Sequence, residues 1–291
     1  MSVFVDSRRG RTVLVTSAGP ANCGGRDALL RFDAAGGLYG RFTHDPRISD
    51  PRGMTLDPTG ALIYVNTADR VLGLDLKGRV ALDSGPVEDL DPGGAVFGPD
   101  GRLYVTLRQR RTILGMPRSL GGHAEALFPD NVVPFPRGFA FGPSGRLYLA
   151  SGIGPSGDGD NAIVVIDLNA PGKPRPVVKD CQLSPLDMTL APNGNIVVAS
   201  EFPFGATDAA ATLREYDPES GELVRVFTPD RSANFRKPRG LRLTADNRLY
   251  CVGEAGAVAF DFLTGRYLGE VLRLARLNGQ ALVLFDQPDN G

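Results

Sequence analysis

Three observations in the sequence predict an all-β fold, a six-bladed β-propeller with four antiparallel strands per blade. The first is composition: 37 glycines and 23 prolines fill more than a fifth of the 291 residues, and so many turn formers require many short strands. The second is a repeat. PRGMTLDPTGALIYV from Pro51, PGGAVFGPDGRLYV from Pro92, PRGFAFGPSGRLYL from Pro136, PLDMTLAPNGNIVV from Pro185 and PRGLRLTADNRLYC from Pro238 align, with their third positions at Gly53, Gly94, Gly138, Asp187 and Gly240. The third is the content of each unit: an apolar strand, a tight turn carrying DG, SG or NG, a second strand, and two more strands before the next unit begins. Four strands per ~40–50 residues is the signature of a propeller blade.

The blades follow in order. Residues 51–90 continue with RVLGLDL and RVALDS, residues 92–131 and 136–180 form the next two blades, the latter with AIVVIDL and RPVVKD, and residues 185–230 and 238–275 form two more. A further unit opens the chain, where SVFVDSRRGRTVLVTS reads as strand, turn, strand, followed by ALLRFDAAG and LYGRF over residues 1–48. Unpaired sheet edges invite aggregation, so the strand-like segment over residues 278–291 is expected to complete that first blade and close the ring. Either terminus could supply the innermost strand. No composition break divides the chain, so residues 1–291 are read as a single domain.

The consensus PxGhxhxPxGxLYVA, with h for apolar, resembles the NHL repeat and the wider superfamily of regucalcin/gluconolactonase-like (SGL) lactonases and strictosidine synthase-like enzymes. The resemblance spans nearly the whole chain and implies the propeller fold. With no tryptophan in the chain, the WD and kelch signatures are absent. A lactonase of this group would hold a divalent metal with asparagines in the inner turns, where this chain has Arg52, Arg137 and Arg239 instead. The PNG at 192–194 falls in the opposite hairpin, and Asn66 is the one asparagine offered as a channel-facing ligand. Strictosidine synthase-like enzymes act through a channel glutamate, a place that Glu201 or Glu254 could take.

Propeller geometry puts the PxG lead-ins and the loops between second and third strands on one face of the ring. Three of those loops are long, over residues 17–27, 151–161 and 200–211, and long loops on a rigid scaffold favour recognition. Arg52, Arg137 and Arg239 fall on the second, fourth and sixth blades. They predict either a ring that holds a carboxylate or phosphate by bidentate hydrogen bonds, or three local ion pairs. Glu201, Glu254 and Asp187 are the candidate acid/base residues and the candidate ligands of one divalent cation (Ca, Mg or Mn), against the plainer reading of ion pairs with Arg239 or a loop arginine. Phe202 and Phe204 would wall a ligand site, and Asp158 and Asp160 form a weaker calcium candidate.

Other chemistries fit poorly. Only His44 and His123 are available, too few for a three-histidine zinc site, and no GxSxG elbow is present. GIGPSG at 152–157 runs into a strand, so the helix N-terminus that cradles phosphate is missing. Cys23 is a loop thiol without an activating neighbour, and Cys251 belongs to a strand. A formal charge of −1 argues against a protein built mainly to grip phosphate backbones, and no apolar run reaches the ~18 residues that span a bilayer. Neither a nucleic acid nor a membrane is therefore expected as a partner. Three cysteines and an N-terminus without a secretory layout predict a cytoplasmic protein. Two functions remain. One is binding of a small, anionic molecule at the channel mouth, with hydrolase- or lyase-type chemistry there; the other is a non-catalytic propeller with a protein partner.

Overall fold

Each repeat folds as its apolar pattern dictates. The computed structural model describes residues 11–18, 27–33, 35–153, 159–170, 173–180, 183–200, 212–233 and 235–286. Within them the strands form six four-stranded antiparallel sheets. The first blade contains β1 (Arg11–Ser17), β2 (Ala28–Phe32) and β3 (Leu38–Arg41). The second contains β4 (Met54–Leu56), β5 (Leu62–Asn66), β6 (Val71–Asp75) and β7 (Val80–Asp83), and the third β8 (Pro92–Phe97), β9 (Leu103–Leu107), β10 (Thr112–Met116) and β11 (Glu125–Ala126). The fourth holds β12 (Pro136–Phe141), β13 (Arg146–Ile153), β14 (Gly159–Asp167) and β15 (Arg175–Lys179), and the fifth β16 (Pro185–Leu190), β17 (Ile196–Ser200), β18 (Thr212–Tyr216) and β19 (Leu223–Phe227). The sixth is β20 (Gly240–Leu243), β21 (Arg248–Val252), β22 (Gly256–Asp261) and β23 (Tyr267–Arg273).

The last strand, β24 (Gly279–Asp286), returns to the first blade, where it pairs with β1 at Val13↔Leu284 and Leu14↔Val283. The C-terminal segment thus supplies the innermost strand of the closing blade, and the sheet order becomes β24-β1-β2-β3. SVFVD, at the start of the chain, lies outside the described residues.

Middle strands are buried along both faces because a neighbouring blade covers each side. LYVTL of β9 and TILGM of β10 are buried throughout, while VALD of β7, on the outside of its blade, alternates between exposed and half-buried. Six apolar clusters result, one at each blade–blade interface. Tyr64, Val71 and Leu90 of the second blade, for example, pack with Leu103, Val105 and Leu114 of the third. The hairpin turns between first and second strands use Gly60, Gly101 and Gly194 with φ of 74°, 76° and 87°; in the sixth blade Asn247 takes the left-handed position instead.

The repeated third-position glycine has a different cause, the close approach of adjacent innermost strands. A Cβ on Gly138 would stand 2.5 Å from the Cα of Asp187, and one on Gly240 2.5 Å from the Cα of Ala281. Polar side chains tie the blades together at the same level. Thr16 Oγ1 donates to the Arg52 carbonyl at 3.2 Å, Asn66 Nδ2 to the Gly93 carbonyl at 3.0 Å, and Thr106 Oγ1 to the Arg137 carbonyl at 2.7 Å. Between the fifth and sixth blades the link runs the other way, the Leu241 amide donating to Asp187 Oδ2 at 2.9 Å.

Candidate functional site

All six blades contribute, through their innermost strands or the residues leading into them, to a cavity of about 220 Å³ on the propeller axis. Its wall is glycine backbone from the repeats, and its functional side chains are Arg52, Arg108, Arg137, Arg239, Arg242, Asp187 and Gln280. The wall has this composition because the close-packed repeat glycines carry no side chains to fill the channel, so the residues beside them reach in.

Three cavity arginines are held from the rim by residues in a left-handed backbone conformation. Asp50 (φ 42°) pairs with Arg52 at 2.8 Å, Asp91 (φ 26°) with Arg108 at 2.5 Å, and Asn278 (φ 46°) accepts from Arg239 Nη1 at 2.6 Å. Non-glycine residues pay about 1–3 kcal/mol for such backbone conformations, which persist only where the surroundings enforce them. Here each turns its side chain back toward an arginine: two residues away for Asp50, one hairpin away for Asp91, and on the neighbouring blade for Asn278. Arg52 also donates to Gln280 Oε1 at 3.0 Å, and the Arg137 guanidinium lies 4.5 Å from the centre of the Phe135 ring.

Asp187 replaces the repeat glycine, and its carboxylate fills the gap between the fifth and sixth blades. It accepts from the Leu241 amide, from the Met188 amide at 3.0 Å and from Arg242 Nη1 at 3.4 Å. Its side chain is only 16% exposed, and burial pushes the carboxyl above the usual aspartate range against the opposing pull of Arg242 and the two amides. Arg242 itself crosses the channel from the sixth blade: Nη2 donates to the Met54 carbonyl of the second. It therefore helps floor the cavity.

The structure brings Arg52, Arg137, Arg239 and Asp187 together on one cavity. Two expected residues lie elsewhere. The Glu254 side chain sits beside Lys237, Oε1 to Nζ 3.2 Å, and does not line the channel. Asn66 is fully buried, and its amide is spent on the Gly53 amide and the Gly93 carbonyl, which leaves it no part as a channel ligand. Glu201, Phe202 and Phe204, with Cys23 and Asp158, lie outside the described residues, and nothing is described of the Asp160 side chain. Among the described residues no three His, Cys, Asp or Glu side chains converge as a metal site would require, and Asp187 and Glu254 are not brought together. The long loop read over 151–161 is shorter than expected, because β13 and β14 run on to pair Ile153 with Gly159. His44 and His123 are exposed, and Cys251 is buried in the core between the fifth and sixth blades.

Sequence reading missed Arg108, Arg242 and Gln280. Arg108 follows the second strand of its blade, the position that singled out Glu201, Glu254 and Asn66, and Arg242 is a charged residue inside an innermost strand, the same signal that singled out Asp187. The NG pair at 278–279 also marks a left-handed rim residue, whereas Asp50 and Asp91 precede prolines, which favour extended backbone, so their left-handed φ was not legible.

No family model matches the chain, and no curated protein matches it. Solved structures do. A chain of the nidogen/laminin complex superimposes with a TM-score of 0.70 at 14% identity, covering 94% of this chain and 98% of that one. A protein of unknown function from Bacteroides caccae gives 0.67 at 14% identity over 96% and 100%, and a streptogramin B lyase 0.55 at 15% identity over 86% and 72%. At these identities the likeness concerns the fold alone, and by that fold this chain is a six-bladed β-propeller, an architecture it shares with a streptogramin B lyase and with a chain of the nidogen/laminin complex only in its backbone.

Proposed function

We propose that the axial cavity binds a small anionic molecule. The observation that carries this is the wall: five arginines meet on one 220 Å³ space whose remaining charged side chain, among the described residues, is Asp187. Guanidinium groups receive carboxylate and phosphate oxygens through paired N–H donors, and charge-assisted bonds in a recessed site are roughly twice as strong as neutral ones. The rim residues that hold Arg52, Arg108 and Arg239 reduce the ordering cost of binding. Asp187 is the group suited to move a proton in a hydrolase- or lyase-type reaction of the bound anion, since burial holds part of its population protonated to higher pH than an exposed aspartate. The lyase among the structural neighbours is in keeping with such chemistry on this fold.

Thermal denaturation against a panel of carboxylates and phosphates at low ionic strength tests the binding reading. A ligand at about 100 times its Kd adds about 2.7 kcal/mol of stability, so at least one anion is expected to raise Tm, and added salt to reduce the gain. A panel that leaves Tm unmoved, or moves it equally in the Arg137→Gln/Arg239→Gln double variant, would sink the reading.

The alternative is a non-catalytic interaction propeller, favoured by one surface. Leu223, Val224 and Val226 on outer strand β19 are 40–53% exposed, and Leu263, at 68%, lies against Arg225 between them. That reading expects no anion response and a change in association state on Val224→Lys, measured by sedimentation.

A further inference from the structure

Resting on the anion site above, the geometry points to a narrower ligand class: we propose that the cavity receives a compact, branched tricarboxylate, one carboxylate on each of Arg52, Arg137 and Arg239. These three occupy the same repeat position, directly after the proline that leads into the innermost strand, on the second, fourth and sixth blades. Equivalent positions on alternate blades of a six-blade ring stand a third of a turn apart, so the three arginines enter the cavity wall from three sides. All three line the one cavity.

Their backbones are pinned at the same level. Arg52 and Arg239 donate their amides to the Asn66 and Val252 carbonyls at 3.2 and 2.8 Å, and the carbonyls of Arg52 and Arg137 accept from Thr16 and Thr106. The intervening blades present Gly93, Leu186 and Gln280 to the cavity, none of them charged. The positive charge at this level is therefore gathered into three lobes, the first two bridged by Arg108, which follows the second strand of the third blade.

Size limits the ligand as well. Cavities that enclose drug-sized molecules run about 300–1,000 Å³, and this one, at about 220 Å³, suits a smaller body. A single carboxylate would engage one lobe, and a linear dicarboxylate two. A lone tetrahedral phosphate on the axis would have to draw three side chains inward from the partners that hold them. A short branched skeleton with three carboxylates matches three arginines set on alternate blades of one cavity.

Calorimetric titration of the intact protein with tricarballylate, glutarate, acetate and inorganic phosphate, at one low ionic strength and neutral pH, tests this. Each added carboxylate contributes a charge-assisted pair, so tricarballylate is expected to bind about tenfold or more tighter than glutarate, and glutarate than acetate. Arg52→Gln, Arg137→Gln and Arg239→Gln should each weaken tricarballylate by about tenfold or more while bringing its affinity close to that of glutarate. Arg79→Gln, at an outer turn where Arg79 pairs with Asp75, should leave the series unchanged. Glutarate or phosphate binding as tightly as tricarballylate would overturn the tricarboxylate assignment and leave the anion site standing. No binding by any of the four, together with a silent thermal panel, would remove both. Should an arginine variant fail to fold, the wild-type ladder of three carboxylates still decides the question.

Discussion

Asp187 is the residue at which structure and chemistry compete most directly. As a carboxylate it is disfavoured by burial, yet it caps the Leu241 amide across a blade boundary. Its folded-state pKa is raised, so the native protein binds its proton more tightly than the unfolded chain. The resulting penalty is absent below the ordinary aspartate value of about 4 and sets in as pH rises through the elevated native value. Urea midpoints followed upward from pH 4 should therefore fall in the wild type relative to Asp187→Asn, which keeps an acceptor for the amide but carries no charge; parallel pH profiles would contradict this. Asp187→Ala leaves the Leu241 amide buried without that partner, and the expected cost is about 1–3 kcal/mol. Glu215 shows the opposite sign. Burial would raise its carboxyl, but Asn195, Asn193 and Arg225 together outweigh that and hold it below the usual range. Its contribution is present above the ordinary glutamate value of about 4.3 and is lost as the solution is acidified. Glu215→Ala should cost about 1–3 kcal/mol in denaturant titrations, because it takes the shared acceptor from the partly exposed Arg225 and from two turn asparagines.

At the scale of the strand and its turns, the repeat motif was readable because its causes are local. DG, SG and NG in the hairpins supply left-handed backbone, and the apolar runs LIYV, LYV and LYL are what a strand covered on both faces must be. The third-position glycine was visible as a regularity, but its reason was not, since the close approach involves a strand some 40–50 residues away. Asn66 was misread for the same reason: its position after the second strand indicated the channel, whereas its amide bridges two blades. Arg108 and Arg242 were legible in principle, being charges where a buried strand or its end should be neutral, and were passed over because arginines were sought only directly after the lead-in proline. The glycine contact makes a direct prediction. Gly138→Ala puts a methyl group against the Asp187 backbone, which cannot step aside as a flexible side chain would, and should destabilise by about 1–3 kcal/mol by calorimetry. Gly60→Ala meets open space and should show only the smaller cost of a left-handed alanine.

For the whole molecule, closure decides stability. The ring has six interfaces, each an apolar cluster, and none spans more than two neighbouring blades. Such an arrangement gains little from any one blade unless its neighbours are present on both sides. Deleting residues 279–291 removes β24, bares the backbone edge of β1 and strips Ala281, Leu282, Val283 and Phe285 from two clusters at once. The shortened chain should elute as aggregate in size-exclusion chromatography, and a monodisperse, fully folded product would show that closure is dispensable.

The position of β24 also sets a timetable. Gln280 and Ala281 form part of the cavity wall, and Gln280 holds Arg52 from the opposite end of the chain. Ribosomes add about 5–20 residues each second, so β1 waits on the order of 13–50 seconds for the strand that covers its inner edge. Throughout that interval five blades can stack while the arginine cavity stays open on one side. The cavity wall is therefore complete only after the final strand has been synthesised, and the proposed anion site would be a property of the finished chain and not of a nascent one.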